Sequence, residues 1–321
     1  MDCTKDYTLS TYKTDTASPY YVLTNNEAFA NGKILVIGDV TSIGDYVFCN
    51  CTSLTSITIP DSVTSIGNYS FDSCSSLTSI EIGNSVTSIG NSAFYNCKKL
   101  TSITIPDSVT SIGESAIYGC SSLTSITIPD SVTSIGQRAF YNCSSLTIIE
   151  IPDSITRISF YTFYGCKSLT SVEIGDSVTS ISDDAFYGCT SLAGIVIPDS
   201  VTNIGGYAFQ GCTSLTSITI PDSVTSIGSG AFQGCKSLTS VEIGGSVTSI
   251  GISVFAGCTA LGNVIIPNSI TSIKNSAFYN CTALTDVYYT GTEEEWNAIS
   301  IAPGNDPLLN ATIHYNWEGE I

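Results

Sequence analysis

Cysteine is the residue type with the most chemical potential in this 321-residue chain. Eleven of the 13 cysteines follow one another at intervals of 23 residues, from Cys51 to Cys281. Such a row could form disulfides between repeats or a metal array. Parallel stacking disfavours the disulfides, because it sets the thiols side by side. The absence of a C-x-x-C pair disfavours a zinc site. Because a buried thiol also acts as a small hydrophobic side chain, we predict that the row lies reduced in the core. Cys3 and Cys49, outside the row, are the predicted reactive thiols.

Other material for catalysis is scarce. His314 is the single histidine, which excludes multi-histidine metal sites and leaves little for acid–base chemistry. The serines occupy repeated positions and lack a nucleophile elbow, and no glycine-rich phosphate loop leads from a strand into a helix. We therefore predict a protein that is not an enzyme and has no catalytic residues, metal site or cofactor.

A row of aspartates with one asparagine comes just after the recurring proline position in eight successive repeats. Like charges in successive repeats would lie close together, and calcium would relieve their repulsion. An Asx turn, in which the side chain bonds the backbone two residues on, explains the row without a metal and accounts for the asparagine at one position. We favour the turn, and calcium stays the alternative. The row comprises Asp61, Asn84, Asp107, Asp130, Asp153, Asp176, Asp199 and Asp222.

The charge balance excludes several classes of partner. Asp and Glu number 28 against 10 Lys and Arg, so the net charge of −18 disfavours nucleic acid and anionic membranes. The sequence has no run of about 18 apolar residues that would predict a membrane-spanning helix. The segment from Met1 to Tyr7 lacks the basic start and apolar run of a signal peptide. We therefore expect either an intracellular chain or part of a longer secreted precursor.

The elements that position these rows are short. In the repeat at residues 100–122, Ile103 and Ile105 predict a strand with alternating faces, and Pro106 ends it because proline lacks a backbone donor. A short helical turn is predicted next. Gly119 suits the left-handed conformation that ends such a turn, after which the cysteine points back into the core.

A period of 23 residues is typical of a solenoid, in which each repeat buries its apolar side chains against its neighbours. We predict an N-terminal cap over residues 1–30, one degenerate and ten regular repeats over 31–283, and an irregular final repeat with a C-terminal cap over 284–321. In that last segment, residues 292–295 predict a capping box that starts a helix, and residues 311–315 predict a closing strand.

One pattern recurs over about residues 31–290, namely L-x-x-I-x-I-P-x-S-V-x-x-I-x-x-x-A-F-x-x-C. It resembles the BspA-like leucine-rich repeat family, which includes surface proteins of oral and gut bacteria. The segment from Val287 to Ile299 resembles the closing segment of bacterial members. The resemblance implies an α/β leucine-rich repeat solenoid with a parallel β-sheet on its concave face and short helical turns on its convex face. It also implies an adhesive or recognition role, often toward host proteins, without catalytic residues.

The outward strand position of each repeat would lie on the concave face, which solenoids use for partners. Small polar residues dominate this row, so a merely solvated β-face is the alternative. Glutamates and apolar or aromatic residues interrupt the row, and we predict that they contact a protein or glycan partner. They are Glu81, Glu150, Glu173, Val196, Glu242, Ile265 and Tyr288.

A tyrosine follows the buried apolar residue in five successive repeats and is expected on the convex surface. Tyrosine is a favoured contact residue in protein interfaces and against sugar rings. The alternative is that each ring stacks on its neighbour and shields the turns. The predicted convex patch consists of Tyr95, Tyr118, Tyr141, Tyr164 and Tyr187.

Together these features predict a monomeric, non-catalytic recognition or adhesion module. Its partner would be a protein or glycan, on a host surface or in the extracellular matrix, and the acidic rows favour a cationic one. A structural spacer that displays another domain, or an intracellular interaction scaffold, is the alternative. The predicted location is the cell surface or the secreted fraction, and the cytoplasm stays open because the chain shows no signal peptide.

Overall fold

The alternation of small polar and branched apolar residues in each repeat forms a short β-strand. The computed structural model describes residues 33–35 and 40–319. Strand residues Ser102 and Thr104 are exposed and Ile103 between them is buried, as the alternation predicts. Ile103 lies beside Ile126, its equivalent 23 residues later, in a parallel pair. Each repeat is therefore one coil, and parallel stacking of coils carries the fold.

The chain divides into two compact units between Ile155 and Thr156. The strands of the first unit are β1 (Lys33–Leu35), β2 (Ser56–Thr58), β3 (Ser65–Ile66), β4 (Ser79–Glu81), β5 (Ser88–Ile89), β6 (Ser102–Thr104), β7 (Ser111–Ile112), β8 (Ser125–Thr127), β9 (Ser134–Ile135) and β10 (Ile148–Ile151). The longer strands lie in the order β1-β2-β4-β6-β8-β10, and the two-residue strands form a second sheet, β3-β5-β7-β9. The sequence does not predict this second sheet, because two residues are too few to show an alternation.

The second unit repeats this arrangement and adds two short helices. Its elements are β11 (Arg157–Ile158), β12 (Ser171–Ile174), β13 (Ser180–Ile181), β14 (Asn203–Ile204), β15 (Ser217–Ile220), β16 (Ser226–Ile227), β17 (Ser240–Ile243), β18 (Ser249–Ile250), β19 (Asn263–Ile266), β20 (Ser272–Ile273), β21 (Asp286–Tyr289), α1 (Glu293–Asn297), β22 (Ser300–Ile301), α2 (Asp306–Leu309) and β23 (Thr312–His314). Longer strands form the sheet β15-β17-β19-β21-β23, and two-residue strands form β11-β13-β14-β16 and β18-β20-β22. No helix among the described residues is long and apolar enough to cross a lipid bilayer.

The core of each unit consists of the same side chains repeated coil by coil. The phenylalanine of the repeat is fully buried and stacks on its equivalents, with ring centroids 5.3 Å apart for Phe71 and Phe94 and for Phe209 and Phe232. Such stacking stabilises the folded state beyond what burial of the rings alone contributes. The leucine, valine and isoleucine positions pack in the same way, so the apolar rows of the sequence become apolar rows of the core.

The prediction of short helical turns before each cysteine is wrong, because the described coils form turns without α-helix there. Two residues in each coil adopt left-handed backbone, as Ser92 (φ 53°) and Asn96 (φ 55°) do, and a right-handed helix does not continue through such residues. Backbone N–H groups of the segment donate to the next coil instead, as Phe94 does to the Ala116 carbonyl at 2.7 Å. The left-handed conformation predicted for Gly119 is confirmed, with φ 70°.

The C-terminal elements begin as the sequence predicts. The Thr292 hydroxyl accepts a hydrogen bond from the Glu295 N–H, and the Glu295 carboxylate accepts one from the Thr292 N–H, so the capping box of α1 is confirmed. Helix α1 buries Trp296, whose ring meets Tyr289 edge-on at 5.2 Å. The closing strand is β23, which pairs in parallel with β21. The N-terminal cap predicted over residues 1–30 lies outside the described residues.

Candidate partner-binding surface

The outer side of the longer strands, predicted to be the concave face, is called the strand face below. In β15, Ser217 and Thr219 point outward and are exposed, whereas Ile218 between them is buried. Every regular coil repeats this arrangement, so its outward side chains form two parallel rows. Five of the predicted contact residues are exposed on the strand face: Glu81, Glu150, Glu173, Val196 and Glu242.

The other two predicted contact residues are less accessible. Ile265 lies in register between Glu242 and Tyr288, and its exposed fraction is only 5% because these longer side chains flank it. Its prediction as an exposed contact is therefore wrong. Tyr288 is half-buried, with its ring centroid 4.7 Å from that of His314 and 4.3 Å from that of Trp317. Tyr288 thus packs against the closing segment of the second unit.

The strand face is interrupted in the second unit between β12 and β15. Residues 193–197 occupy the strand position but form no strand, and within the described part of the chain only the Ala193 carbonyl of this segment takes part in a backbone–backbone hydrogen bond. Ala193 replaces a threonine whose hydroxyl elsewhere bonds the preceding coil, as Thr239 does to the Thr216 carbonyl at 3.0 Å. Gly194 replaces a serine, and glycine weakens a strand. The loss of both residues explains the interruption.

A groove of about 540 Å³ surrounds the interruption. A Cβ atom on Gly194 would meet nothing within 4 Å, so the missing side chain leaves open space. Val196 is 80% exposed, and Ile195 is half-buried although its equivalent in the next coil, Ile218, is only 3% exposed. The groove therefore exposes two apolar side chains, Ile195 and Val196, in a face that otherwise presents serine and threonine.

A second groove, of about 630 Å³, adjoins the first and shares Asp199, Thr219 and Pro221 with it. Its lining adds Asp222 and Glu242, and all three acidic side chains are exposed. Among the described residues, no lysine or arginine lines either groove. Sequence analysis missed the grooves, although the change from T-S-I-T to A-G-I-V at positions 193–196 is their signal.

Comparison with known proteins places the chain in a family. Residues 25–147, 87–213 and 179–298 match the family described as "BspA type Leucine rich repeat region (6 copies)". The chain belongs to this BspA-type leucine-rich repeat family. Proteins with such repeats are generally interaction or surface modules and are generally not enzymes. No curated protein sequence gives a significant match.

Several solved leucine-rich repeat structures are similar to this BspA-type chain. A protein from Bacteroides ovatus is 31% identical with a TM-score of 0.70, over 86% of this chain and 78% of that one. A leucine-rich cell surface protein from Faecalibacterium prausnitzii is 32% identical with a TM-score of 0.40, over 81% of this chain and 86% of that one. The T. pallidum leucine-rich repeat protein is 31% identical with a TM-score of 0.47, over 57% of this chain and 78% of that one.

In this BspA-type chain the cysteine row has a structural role. The row cysteines from Cys74 to Cys281 are buried and reduced, as predicted. The Sγ atoms from Cys74 to Cys143 and from Cys189 to Cys281 donate to the carbonyl of a core residue 26 positions earlier, as Cys212 does to Phe186 at 3.3 Å. A thiol therefore supplies a donor for a carbonyl of the preceding coil, which a methyl group does not. Burial raises the pKa of the Cys120 and Cys212 thiols to about 12.

Cysteines near the start of the row behave differently. Cys51 is disulfide-bonded, so the prediction of a reduced row is wrong at this position. Cys49 is half-buried, and its Sγ lies 3.7 Å from the Asp72 Oδ2. Burial and the negative charge of Asp72 raise the pKa of the Cys49 thiol, which reduces its thiolate fraction. Cys3, the other predicted reactive thiol, lies outside the described residues.

The carboxylates that follow the proline bond the next coil where their contacts are resolved. The Asp61 Oδ1 accepts a hydrogen bond from the Asn84 N–H at 2.7 Å, and the Asp222 Oδ1 accepts one from the Gly245 N–H at 2.6 Å. Both partners lie 23 residues on, whereas an Asx turn would use the backbone two residues on. The Asx-turn prediction is therefore wrong at these two positions. Nowhere in residues 33–35 and 40–319 do three or more His, Cys, Asp or Glu side chains form a group that could hold a metal ion.

The tyrosines of the predicted convex patch stack on one another. In the first unit, the ring centroids of Tyr95 and Tyr118 are 4.5 Å apart, and those of Tyr118 and Tyr141 are 4.6 Å apart. In the second unit, Tyr164 and Tyr187 stack at 4.5 Å. All five rings are half-buried, so stacking covers ring faces and leaves edges and hydroxyls at the surface. The geometry agrees with the stacking alternative, and a contact role for this patch stays a prediction.

The single histidine joins the last two strands of the second unit. The His314 Nε2 lies 2.8 Å from the Asp286 Oδ1, and the Asp286 carboxylate also accepts a hydrogen bond from the Thr285 hydroxyl at 2.7 Å. These two hydrogen bonds hold the pKa of Asp286 below its usual range. The pair thus ties β23 to β21, which is a structural role for His314.

Proposed function

We propose that this BspA-type chain is a non-catalytic recognition module that binds a protein partner through the strand faces of its units. The observation that carries the proposal is the exposed outward row, in which glutamates interrupt small polar residues: Glu81 and Glu150 in the first unit, and Glu173 and Glu242 in the second. The regular strands below the row are already paired, so binding requires little ordering of the backbone. A broad surface of short side chains favours many weak contacts over one deep pocket.

Charge determines the kind of partner that we propose. The net charge of −18 attracts a basic surface and accelerates its association. Salt weakens such attraction, because the screening length is about 8 Å at physiological ionic strength. We further propose that the module acts at the cell surface or outside the cell, where proteins of the extracellular matrix or glycans are available as partners.

An array of purified extracellular-matrix proteins and glycans tests this function with the full chain as the labelled probe. We expect saturable, salt-sensitive binding to at least one protein. The variant Glu150→Gln/Glu173→Gln/Glu242→Gln keeps the shape of the face and removes three charges, so affinity should fall about tenfold at low salt. Salt-independent binding would contradict the electrostatic part of the proposal.

A structural spacer is the second candidate function. The tyrosines in the turn segments of the coils favour it, because they are stacked on one another and half-buried. The variant Tyr95→Ser/Tyr118→Ser/Tyr141→Ser is the matched test on the same array. If the tyrosines only stack, this variant lowers the melting temperature and leaves affinity unchanged. Absence of saturable binding to every protein and glycan would favour the spacer over the recognition module.

A further inference from the structure

The groove at the interruption of the strand face in the second unit has the shape of a side-chain pocket. Gly194 leaves a gap in the outward row between Ser171 and Ser217, and all three residues line the same groove. Ile195, which is half-buried, and Val196, which is exposed, also line the groove. An apolar side chain of a partner is therefore the group that the gap accommodates.

The backbone at the gap lacks the hydrogen bonds that join regular coils. Within the described part of the chain, the N–H and C=O groups of residues 194–197 bond no other backbone group. In the next coil the equivalent residues, 217–220, pair with β17 in register. In an extended segment these groups point toward the adjacent coils and not toward the strand face, so the interruption leaves space between the coils without forming an exposed sheet edge. Residues 194–197 thus combine unpaired backbone with the apolar side chains of Ile195 and Val196.

The chemistry of the adjoining groove selects a basic ligand. Asp199 borders both grooves, and Asp222 and Glu242 continue the acidic lining away from the gap. All three carboxylates are exposed, and no described lysine or arginine lines the two grooves. The two grooves adjoin each other on the same face, so a segment whose basic residues flank an apolar one brings both kinds of side chain to them.

We propose that residues 194–197 and the two grooves form a binding site for an extended, basic segment of a partner protein. The site deepens the proposed recognition function and rests on it, because it names the part of the strand face that makes the most specific contact. One apolar side chain of the segment enters the gap at Gly194, and its basic side chains lie along Asp199, Asp222 and Glu242.

Fluorescence anisotropy with a labelled peptide of alternating lysine and valine, about ten residues long, tests the site on the full chain. We expect saturable binding. A lysine–serine peptide lacks the apolar group and a glutamate–valine peptide reverses the charge, so each should bind about tenfold more weakly. The proposal is overturned if the lysine–valine peptide does not bind, or if the lysine–serine peptide binds equally well.

The variant Gly194→Ser/Val196→Thr restores the residues of the regular coil and fills the gap. We expect it to keep or raise the melting temperature and to weaken lysine–valine peptide binding about tenfold. The matched control is Ser102→Gly, which makes the same deletion in a paired strand of the first unit and should leave affinity unchanged. Equal binding by the double variant and the unaltered chain would overturn the site.

The same double variant separates this proposal from the wider one. If the unaltered chain and the double variant capture the same matrix protein equally well, the recognition function stands and the site at residues 194–197 is wrong. If the peptide binds the unaltered chain and is lost in the double variant while the array stays empty, the site stands and the proposed class of partner is wrong.

Discussion

Two neighbouring coils of the second unit, residues 192–214 and 215–237, have the same core and different strand faces. Phe209 of the first coil stacks on Phe232 of the second at 5.3 Å, and both rings are fully buried. Only the second coil forms a longer strand, β15. The comparison teaches that apolar core rows and strand pairing are separate properties of a coil. On the strand face the coils differ at three aligned pairs: Ala193 and Thr216, Gly194 and Ser217, and Val196 and Thr219.

The difference has a simple energetic basis. A hydrogen bond such as the one from the Thr216 hydroxyl to the Ala193 carbonyl contributes about 0.5–1.5 kcal/mol, and glycine in a strand costs about 0.5–1 kcal/mol relative to alanine. Both terms are comparable to the net stability of a few paired strand residues. Two polar-to-small substitutions are therefore enough to release a strand without disturbing the apolar layer behind it.

Truncation of the inward isoleucine should give the largest difference in stability between variants of the two coils. Ile218→Ala removes a buried side chain and should lower the free energy of unfolding by about 2–5 kcal/mol. Ile195→Ala removes a half-exposed side chain and should lower the free energy of unfolding by less than about half the loss caused by Ile218→Ala. Urea denaturation of the two variants measures the difference. Equal losses would mean that Ile195 is packed like Ile218 and that the coils do not differ.

The loss of stability at alkaline pH tests whether the interruption of the strand face also loosens the packing of the core. The Cys212 thiol, in the interrupted coil, and the Cys120 thiol, in a regular one, both have a pKa of about 12, raised from an ordinary value of 9.0. The protonated thiol is favoured in the folded state, so its stabilisation is complete below about pH 9 and is lost as pH rises toward about 12.

Melting temperature should therefore fall between about pH 9 and 12, and Cys212→Ala and Cys120→Ala should flatten that fall equally. Thermal unfolding followed by circular dichroism over this range gives the slopes. A smaller effect of Cys212→Ala than of Cys120→Ala would indicate that the interruption loosens the core around Cys212.

The threonine hydroxyl should have the smallest effect. Ala193→Thr restores a donor toward the preceding coil and should stabilise the chain by about 0.5–1 kcal/mol. Thr216→Ala removes the equivalent donor, which bonds the Ala193 carbonyl at 3.2 Å, and should destabilise by a similar amount. The pair of variants is its own control in urea denaturation. No change in either would assign the interruption to Gly194 alone.

Local rules explain which features were predictable. The alternation around Ile103, the left-handed Gly119 and the capping box at Thr292 depend on residues that are close in sequence, and the structure confirms all three. The helical turns were wrong because N–H groups there donate to residues 22 positions ahead. Ile265 was wrong because its neighbours on the strand face come from adjacent coils.

The amino-acid sequence by itself determined the family, the coil and its core, because a 23-residue period repeats the same apolar positions and a single repeat buries them against its neighbours. Only the tertiary structure decided why cysteine recurs, which partner the aspartates bond and where the strand face opens. The acceptors of Cys212 and Thr216 and the donor to Asp222 lie 23 to 26 residues away, in the adjacent coil. Contacts at that separation exist only when the coils stack, and within the described part of the chain residues 194–197 lack the backbone hydrogen bonds that join the neighbouring coils.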